Sequence, residues 1–168
     1  AFSTLIKILK YTFNKNLAPS LAKLNISFIK ENSVGEKSRL FIKKKNLIII
    51  PVPLHGNKLR TRGFNQSEEL AIMVAKELGI NLNTRNLIRY RNTKAQAKLN
   101  RKERLINVQD AFAWSKNDDD NNKEENLKRK NIILIDDVSS TGATLDNCAK
   151  VLKKEGAQSV WGLVLAKN

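Results

Sequence analysis

The feature that most restricts this chain begins at Asn131. A short aliphatic run, Ile132 to Ile135, is followed by a polar loop to Thr141, an amphipathic stretch to about Glu155, Gly156 as a cap, and a second apolar run from Val160 to Leu165. A strand that is apolar at every position must be covered on both faces, and the intervening helix returns the chain for a parallel partner. The pattern predicts a βαβ unit with its loop at the carboxyl end of the first strand. Cys148 falls in register with Leu145 and Leu152 and reads as core. As the single cysteine it has no disulfide partner and no neighbour at metal-ligand spacing.

A second unit of the same kind lies upstream. Leu47 to Leu54 (LIIIPVPL) is short and rich in β-branched residues, which predicts another strand buried on both faces, fraying at Pro51 and Pro53. The segment HGNKLRTRGFNQ reads as a basic loop. Ser67 then opens a helix with Leu70, Val74 and Leu78 on one side and Gly79 just past its end. Before these, Phe2, Leu5, Ile6, Leu9 and Phe13 mark an amphipathic helix, and a short helix carrying Leu21 and Leu24 follows Pro19. A weaker strand is expected near Leu87 to Tyr90, and a short apolar patch at Ala111, Phe112 and Trp114. The basic stretch 91–108 reads as a mobile arm and 115–130 as a solvated polar linker. Asp118, Asp119 and Asp120 lie in that linker without the spaced ligands of a cation loop.

The chain of 168 residues suits one domain, and 41% hydrophobic against 6% aromatic residues predicts an aliphatic core. No apolar run reaches the roughly 18 residues that a membrane-spanning helix needs, and no signal-peptide pattern is present. A soluble, cytoplasmic protein is expected. The chain opens at Ala1, already inside an apparent helix, and reads as a fragment or a trimmed chain. A net charge of +15 points to a polyanionic partner such as nucleic acid, or else to lysines that only solvate the surface of a protein from an AT-rich genome. Arginine is mostly confined to the stretch from Arg60 to Arg104, where a specific anion site is the better reading.

The chemistry concentrates in IILIDDVSSTGAT, Ile132 to Thr144. A loop between a buried strand and a helix N-terminus aims several backbone N–H groups and the positive end of the helix dipole at one point, which favours phosphate. Gly142 allows close backbone approach, and Ser139, Ser140, Thr141 and Thr144 offer hydroxyls. The loop contains no lysine, so it is not the nucleotide-phosphate loop of an NTPase, and it lacks GxGxxG spacing. Asp136 and Asp137 stand directly before it. Two carboxylates beside a phosphate cradle make sense when the ligand also presents hydroxyls or a metal, as ribose 5-phosphate does; the alternative is an acidic pair that merely caps the following helix.

Four apolar residues, two acids, an apolar residue and a Thr-Gly-x-Thr ending resemble the type I phosphoribosyltransferase signature. IPVPLHGNKLRTRGFNQ (Ile50 to Gln66) and TKAQAKLNRKERLINVQDAF (Thr93 to Phe112) closely resemble the ComF family of competence-associated phosphoribosyltransferase-like proteins. The resemblance implies a three-layer α/β domain, mostly parallel with about five strands and helices on both faces, with a helical hood over 1–46 and the core over 47–168. It further implies that Asp136 and Asp137 contact the ribose hydroxyls, with Mg²⁺ nearby, and that Ser139, Ser140, Thr141, Gly142, Ala143 and Thr144 hold the 5-phosphate. His55, Arg60, Arg62, Gly63 and Asn65 would form the pyrophosphate loop, although the arginines also suit a solvated turn and His55 a plain loop residue. Gln96, Lys98, Arg101, Lys102 and Arg104 would belong to an arm that closes over phosphoribosyl pyrophosphate, or else to a contact surface for single-stranded DNA or competence proteins. Phe64 and Trp114 could stack bases, with packing the favoured reading. Many members of the family begin with a four-cysteine zinc element; this sequence has none, and zinc is not expected.

Overall fold

The computed structural model describes residues 18–31, 46–92, 109–116 and 127–167. In chain order the elements are helix α1 (Ala18–Glu31), strand β1 (Leu47–Pro51), helices α2 (Gly56–Arg62) and α3 (Gln66–Leu78), strands β2 (Asn81–Leu82), β3 (Leu87–Arg89), β4 (Phe112–Trp114) and β5 (Asn131–Ser139), helix α4 (Ala143–Lys154), and strand β6 (Ser159–Lys167).

Among the described residues, β2, β1, β5 and β6 form a four-stranded sheet in that order, every pair parallel. Of the expected sheet of about five strands, four lie among the described residues, and β3 with β4 forms a separate antiparallel pair. All five residues of β1 are buried, as a central strand covered on both faces requires.

The period of two along the strands divides the core. Leu47 and Ile49 of β1 and Ile133 and Ile135 of β5 point to one face, where Leu21 and Ala22 of α1 and Leu70, Ala71 and Val74 of α3 cover them. Ile48, Ile50, Val52, Ile132 and Leu134 point to the other, against Cys148 and Leu152 of α4 and Leu87 and Phe112 of the β3–β4 pair. Three layers result, and each fully buried Ile or Leu contributes about 1.5–3 kcal/mol of transfer free energy.

Several local expectations change. The helix after Pro19 runs through to Glu31, and Leu24 is 64% exposed while Leu21, Ala22 and Asn25 are buried. The segment read as a continuous basic loop contains α2, closed by Gly63 at φ 77° with its N–H donating to Leu59 O at 2.8 Å. Leu127, at the end of the polar linker, is 1% exposed and belongs to the core. Phe64 and Trp114 pack against the two core clusters, as the packing reading has it. The N-terminal helix read around Phe2 to Phe13, the arm residues Gln96, Lys98, Arg101, Lys102 and Arg104, and the run Asp118 to Asp120 lie outside the described residues. No helix among the described residues is long and apolar enough to cross a membrane.

From β1 the chain runs outward through α3 to β2, then returns to the opposite side of β1 as β5 and continues outward to β6. Strand order therefore reverses between β1 and β5. At such a switch point the connections leaving the two strands diverge to opposite faces and open a crevice beyond their carboxyl ends.

Candidate functional site at the strand switch

Both sequences singled out for chemistry meet at that crevice. β5 pairs with β1 as far as Ile135 opposite Pro51, and Val52 N–H adds one bond to Ile135 O at 2.9 Å. Beyond this point β5 continues to Ser139 held on one side by β6, with Asp136 opposite Val164 and Ser139 opposite Lys167. The acid pair thus lies within the strand rather than after it, in the stretch where the β1 side has opened.

Asp136 shares the face of Ile132 and Leu134. Its Oδ1 accepts from Ser67 Oγ and from Asp137 N–H, both at 2.9 Å, while Asp137 Oδ1 accepts from Val138 N–H at 2.7 Å. Burial, and then the neighbouring Asp137 carboxylate, push the Asp136 carboxyl up to about 7, and the Ser67 hydroxyl pulls the other way. Behind it, burial raises the Cys148 thiol well above its ordinary range, and Asp136 adds to that shift, which fits an inert core cysteine.

The loop after β5 turns into α4 through Gly142 at φ 80°, which gives no side-chain cap to the helix. Thr141 Oγ1 accepts from Ala143 N–H at 3.3 Å, and Asp146 N–H donates to Gly142 O at 2.9 Å. Ser139 closes β5, Ser140, Thr141 and Thr144 are half-buried, and Ala143 is buried beneath the loop.

Across the crevice, several groups named for ligand contact are engaged by the loop itself. His55 caps α2, its Nδ1 accepting from Asn57 N–H at 3.2 Å. Asn65 is 7% exposed; its Nδ2 donates to Val52 O at 3.1 Å and its Oδ1 accepts from Ser67 N–H at 3.2 Å, capping α3. The N–H of Gly63 goes to Leu59. Arg60 is exposed and donates to Asn57 Oδ1, back along α2. Arg62 donates to Gln66 Oε1 at 3.5 Å.

Two cations that sequence reasoning passed over join Arg62. Lys58 is lowered to about 8 by burial, then by Arg89 and Arg62. Arg89, on β3, is partly buried with its guanidinium 5.3 Å from the Phe112 ring centroid. Burial lowers its pKa, while Asp136 counts among the influences that raise it, so its field reaches the acid pair. Lys58 and Arg62 of α2 and Arg89 of β3 therefore form a cluster of cations, and Arg89 links it to Asp136. Next to it lies a cavity of about 280 Å³ that Arg89 and Asn65 also line, walled by Pro53, Leu54, Leu59 and Ile88. Arg89 had a sequence signal. In Leu87-Ile88-Arg89, alternation puts arginine on the same inward side as the buried leucine, where a charge needs a reason. Ser67 had none beyond its place at a helix start.

Comparison with known proteins settles the kinship. The phosphoribosyl transferase domain model matches residues 65–168, more than half of the chain. The chain belongs to the phosphoribosyl transferase domain family. Competence protein F of Haemophilus influenzae is 38% identical over 124 residues, 70% of this chain and 50% of that protein. Competence protein ComFC of Bacillus subtilis is 31% identical over 166 residues, 94% of this chain and 62% of that protein. These relatives bear out the ComF resemblance, and the chain spans between half and 62% of their length. Among solved structures, a purine phosphoribosyltransferase from Pyrococcus horikoshii matches 88% of this chain and 72% of its own, at 19% identity and a TM-score of 0.46.

Proposed function

We propose that the crevice binds phosphoribosyl pyrophosphate with Mg²⁺ and that the protein transfers the phosphoribosyl group to an acceptor. The observation that carries this reading is the convergence, at one strand switch, of a glycine-opened helix N-terminus, a half-buried acid pair and the cation cluster Lys58, Arg62 and Arg89, which Arg89 links to Asp136. Like charges gathered in a partly dry place repel one another, and an anion between them turns that cost into binding energy.

The ligand fits in one direction. Its 5-phosphate meets the N–H groups opening α4 and the hydroxyls of Ser139 to Thr144. The ribose hydroxyls meet Asp136 and Asp137. The pyrophosphate extends toward Lys58, Arg62 and Arg89, with Arg60 on the same helix as the first two. As the bond from C1 to pyrophosphate breaks and the acceptor attacks, negative charge builds on the leaving group, and preorganised cations stabilise it. The protein's contribution is positioning and electrostatics. The two carboxylates are hard oxygen donors of the kind Mg²⁺ prefers, and the ion, when bound with the ligand, neutralises part of the pyrophosphate charge.

A second reading rests on the relatives' names, which include competence proteins and, in Salmonella typhimurium, a "DNA utilization protein". In it the same pocket binds phosphoribosyl pyrophosphate without turnover, and the basic arm with Arg101 and Arg104 meets single-stranded DNA during uptake. Calorimetry with phosphoribosyl pyrophosphate, with and without Mg²⁺, tests what both readings share, and absence of binding sinks both. Pyrophosphate release across a panel of nucleobases and amines, with Asp137→Asn as control, separates them. Release in wild type alone supports transfer, and silence across the panel favours the second reading. Titration with labelled single-stranded DNA at several salt concentrations then tests the arm, because lost phosphate contacts flatten the salt slope in Arg101→Ala and Arg104→Ala.

A further inference from the structure

Four hydrogen bonds close a ring around the crevice. Val52 N–H donates to Ile135 O at 2.9 Å, Asn65 Nδ2 donates to Val52 O at 3.1 Å, Ser67 N–H donates to Asn65 Oδ1 at 3.2 Å, and Ser67 Oγ donates to Asp136 Oδ1 at 2.9 Å. Asp136 follows Ile135 in the chain, so the ring is complete. It fastens both ends of the loop that carries α2, Val52 at one end and Asn65 at the other, to the first acid of the pair. Three of the four bonds would form in any well-capped turn beside a strand. The fourth spans 69 residues in sequence and joins a hydroxyl to a carboxylate across two elements.

We propose that Ser67 is a positioning residue whose hydroxyl links the pyrophosphate loop to the ribose-binding acid, so that the two ends of the pocket bind their portions of the ligand cooperatively. The proposal rests on the reading of the crevice given above. Ser67 is 3% exposed and sits in the first turn of α3, a helix that packs on both β1 and β5. When an anion draws α2 and its cations inward, the strain passes through Asn65 to the start of α3, and the Ser67 hydroxyl turns with it. A hydrogen bond to a carboxylate is strong and directional, so the orientation of Asp136 follows. Coupling of this kind must be reciprocal: an occupied pyrophosphate end tightens ribose 5-phosphate binding by the factor that ribose 5-phosphate tightens pyrophosphate.

The test uses the full chain with Mg²⁺ present throughout. The affinity of ribose 5-phosphate is measured by calorimetry with and without saturating inorganic pyrophosphate, in wild type, Ser67→Ala and Ser67→Thr, and folding is followed by circular dichroism. Wild type should show a several-fold gain in affinity when pyrophosphate is present. Ser67→Ala should bring that ratio to about one, and Ser67→Thr, which keeps a hydroxyl, should restore it. A ratio unchanged in Ser67→Ala overturns the proposal. So does an equal loss of both affinities at constant ratio, because a merely structural residue acts that way. If wild type binds neither compound, the reading of the crevice fails with it; if it binds both independently, only the coupling fails.

Discussion

Asp136 is a carboxyl that the fold carries at a cost in stability. Its raised pKa means that the folded protein holds a proton which the unfolded chain has already released between about pH 4 and pH 7. The stabilisation is complete below the unfolded value and lost as the pH climbs through about 7, above which a buried charge must be kept. Asp136→Asn removes that charge while keeping the shape. At pH 8 the ligand-free variant should be more stable than wild type by about 1–3 kcal/mol, a tenfold change in the protonation equilibrium being worth ~1.4 kcal/mol. The gap should close toward pH 5, and phosphoribosyl pyrophosphate binding should be lost. Thermal melts at the two pH values, with calorimetry, check both halves. A variant less stable than wild type at pH 8 would show that the Ser67 and Asp137 bonds outweigh the burial cost.

Lys58 carries the opposite sign. Lowered to about 8, it loses its charge within an accessible range, and a bound anion favours the charged form. Inorganic pyrophosphate also titrates, so the useful comparison is between proteins. The affinity of wild type relative to Lys58→Met should fall by up to about thirtyfold between pH 7 and pH 9.5, because the charged fraction of Lys58 shrinks roughly tenfold with each pH unit past its midpoint. A constant ratio would remove Lys58 from the site.

At the scale of elements, α2 is held in place less by packing than by its ends. It buries none of its residues, and it stays helical through the His55 cap, the Gly63 terminus and the strut from Asn65 to Val52. Asn65→Ala should cost about 1–2 kcal/mol of stability through the lost α3 cap and strut. It should also weaken inorganic pyrophosphate by loosening Lys58 and Arg62, without removing any cation. Denaturant melts and pyrophosphate titration on one preparation check this, and unchanged affinity would mean that the loop holds its shape without the strut. The same element shows where sequence reading reaches its limit. β1, α3, β5 and α4 announce themselves through buried apolar periods and caps, because their stability comes from the core they cover. α2 has no apolar face, and β2 and β4 are too short to show a period. The acid pair and the hydroxyl-bearing loop before α4 were legible as a candidate site because they are contiguous in sequence. Arg62 was legible as well, but its grouping with Arg89 of β3 and the bond from Ser67 to Asp136 were not, since each joins elements that only the folded sheet brings together.

For the whole molecule, the reversal of strand order makes the pocket a joint between two halves, one built on β1, α2 and α3 and the other on β5, α4 and β6. A ligand with a phosphate at each end must hold both. Backbone amide exchange reports each half separately, since protection rises where N–H groups are ordered or bonded. Ribose 5-phosphate should protect 139–145 and leave 55–63 little changed, inorganic pyrophosphate should do the reverse, and phosphoribosyl pyrophosphate with Mg²⁺ should protect both. At a hundredfold excess over its dissociation constant it should also raise global stability by about 2.7 kcal/mol, roughly 5–11 °C for a chain of this size. Protection confined to 139–145 with the full ligand would leave the pyrophosphate without partners on α2, and the cation trio would then have to serve another anion. That outcome would favour a phosphodiester backbone crossing the same basic face, and single-stranded DNA should then protect 55–63 where pyrophosphate does not.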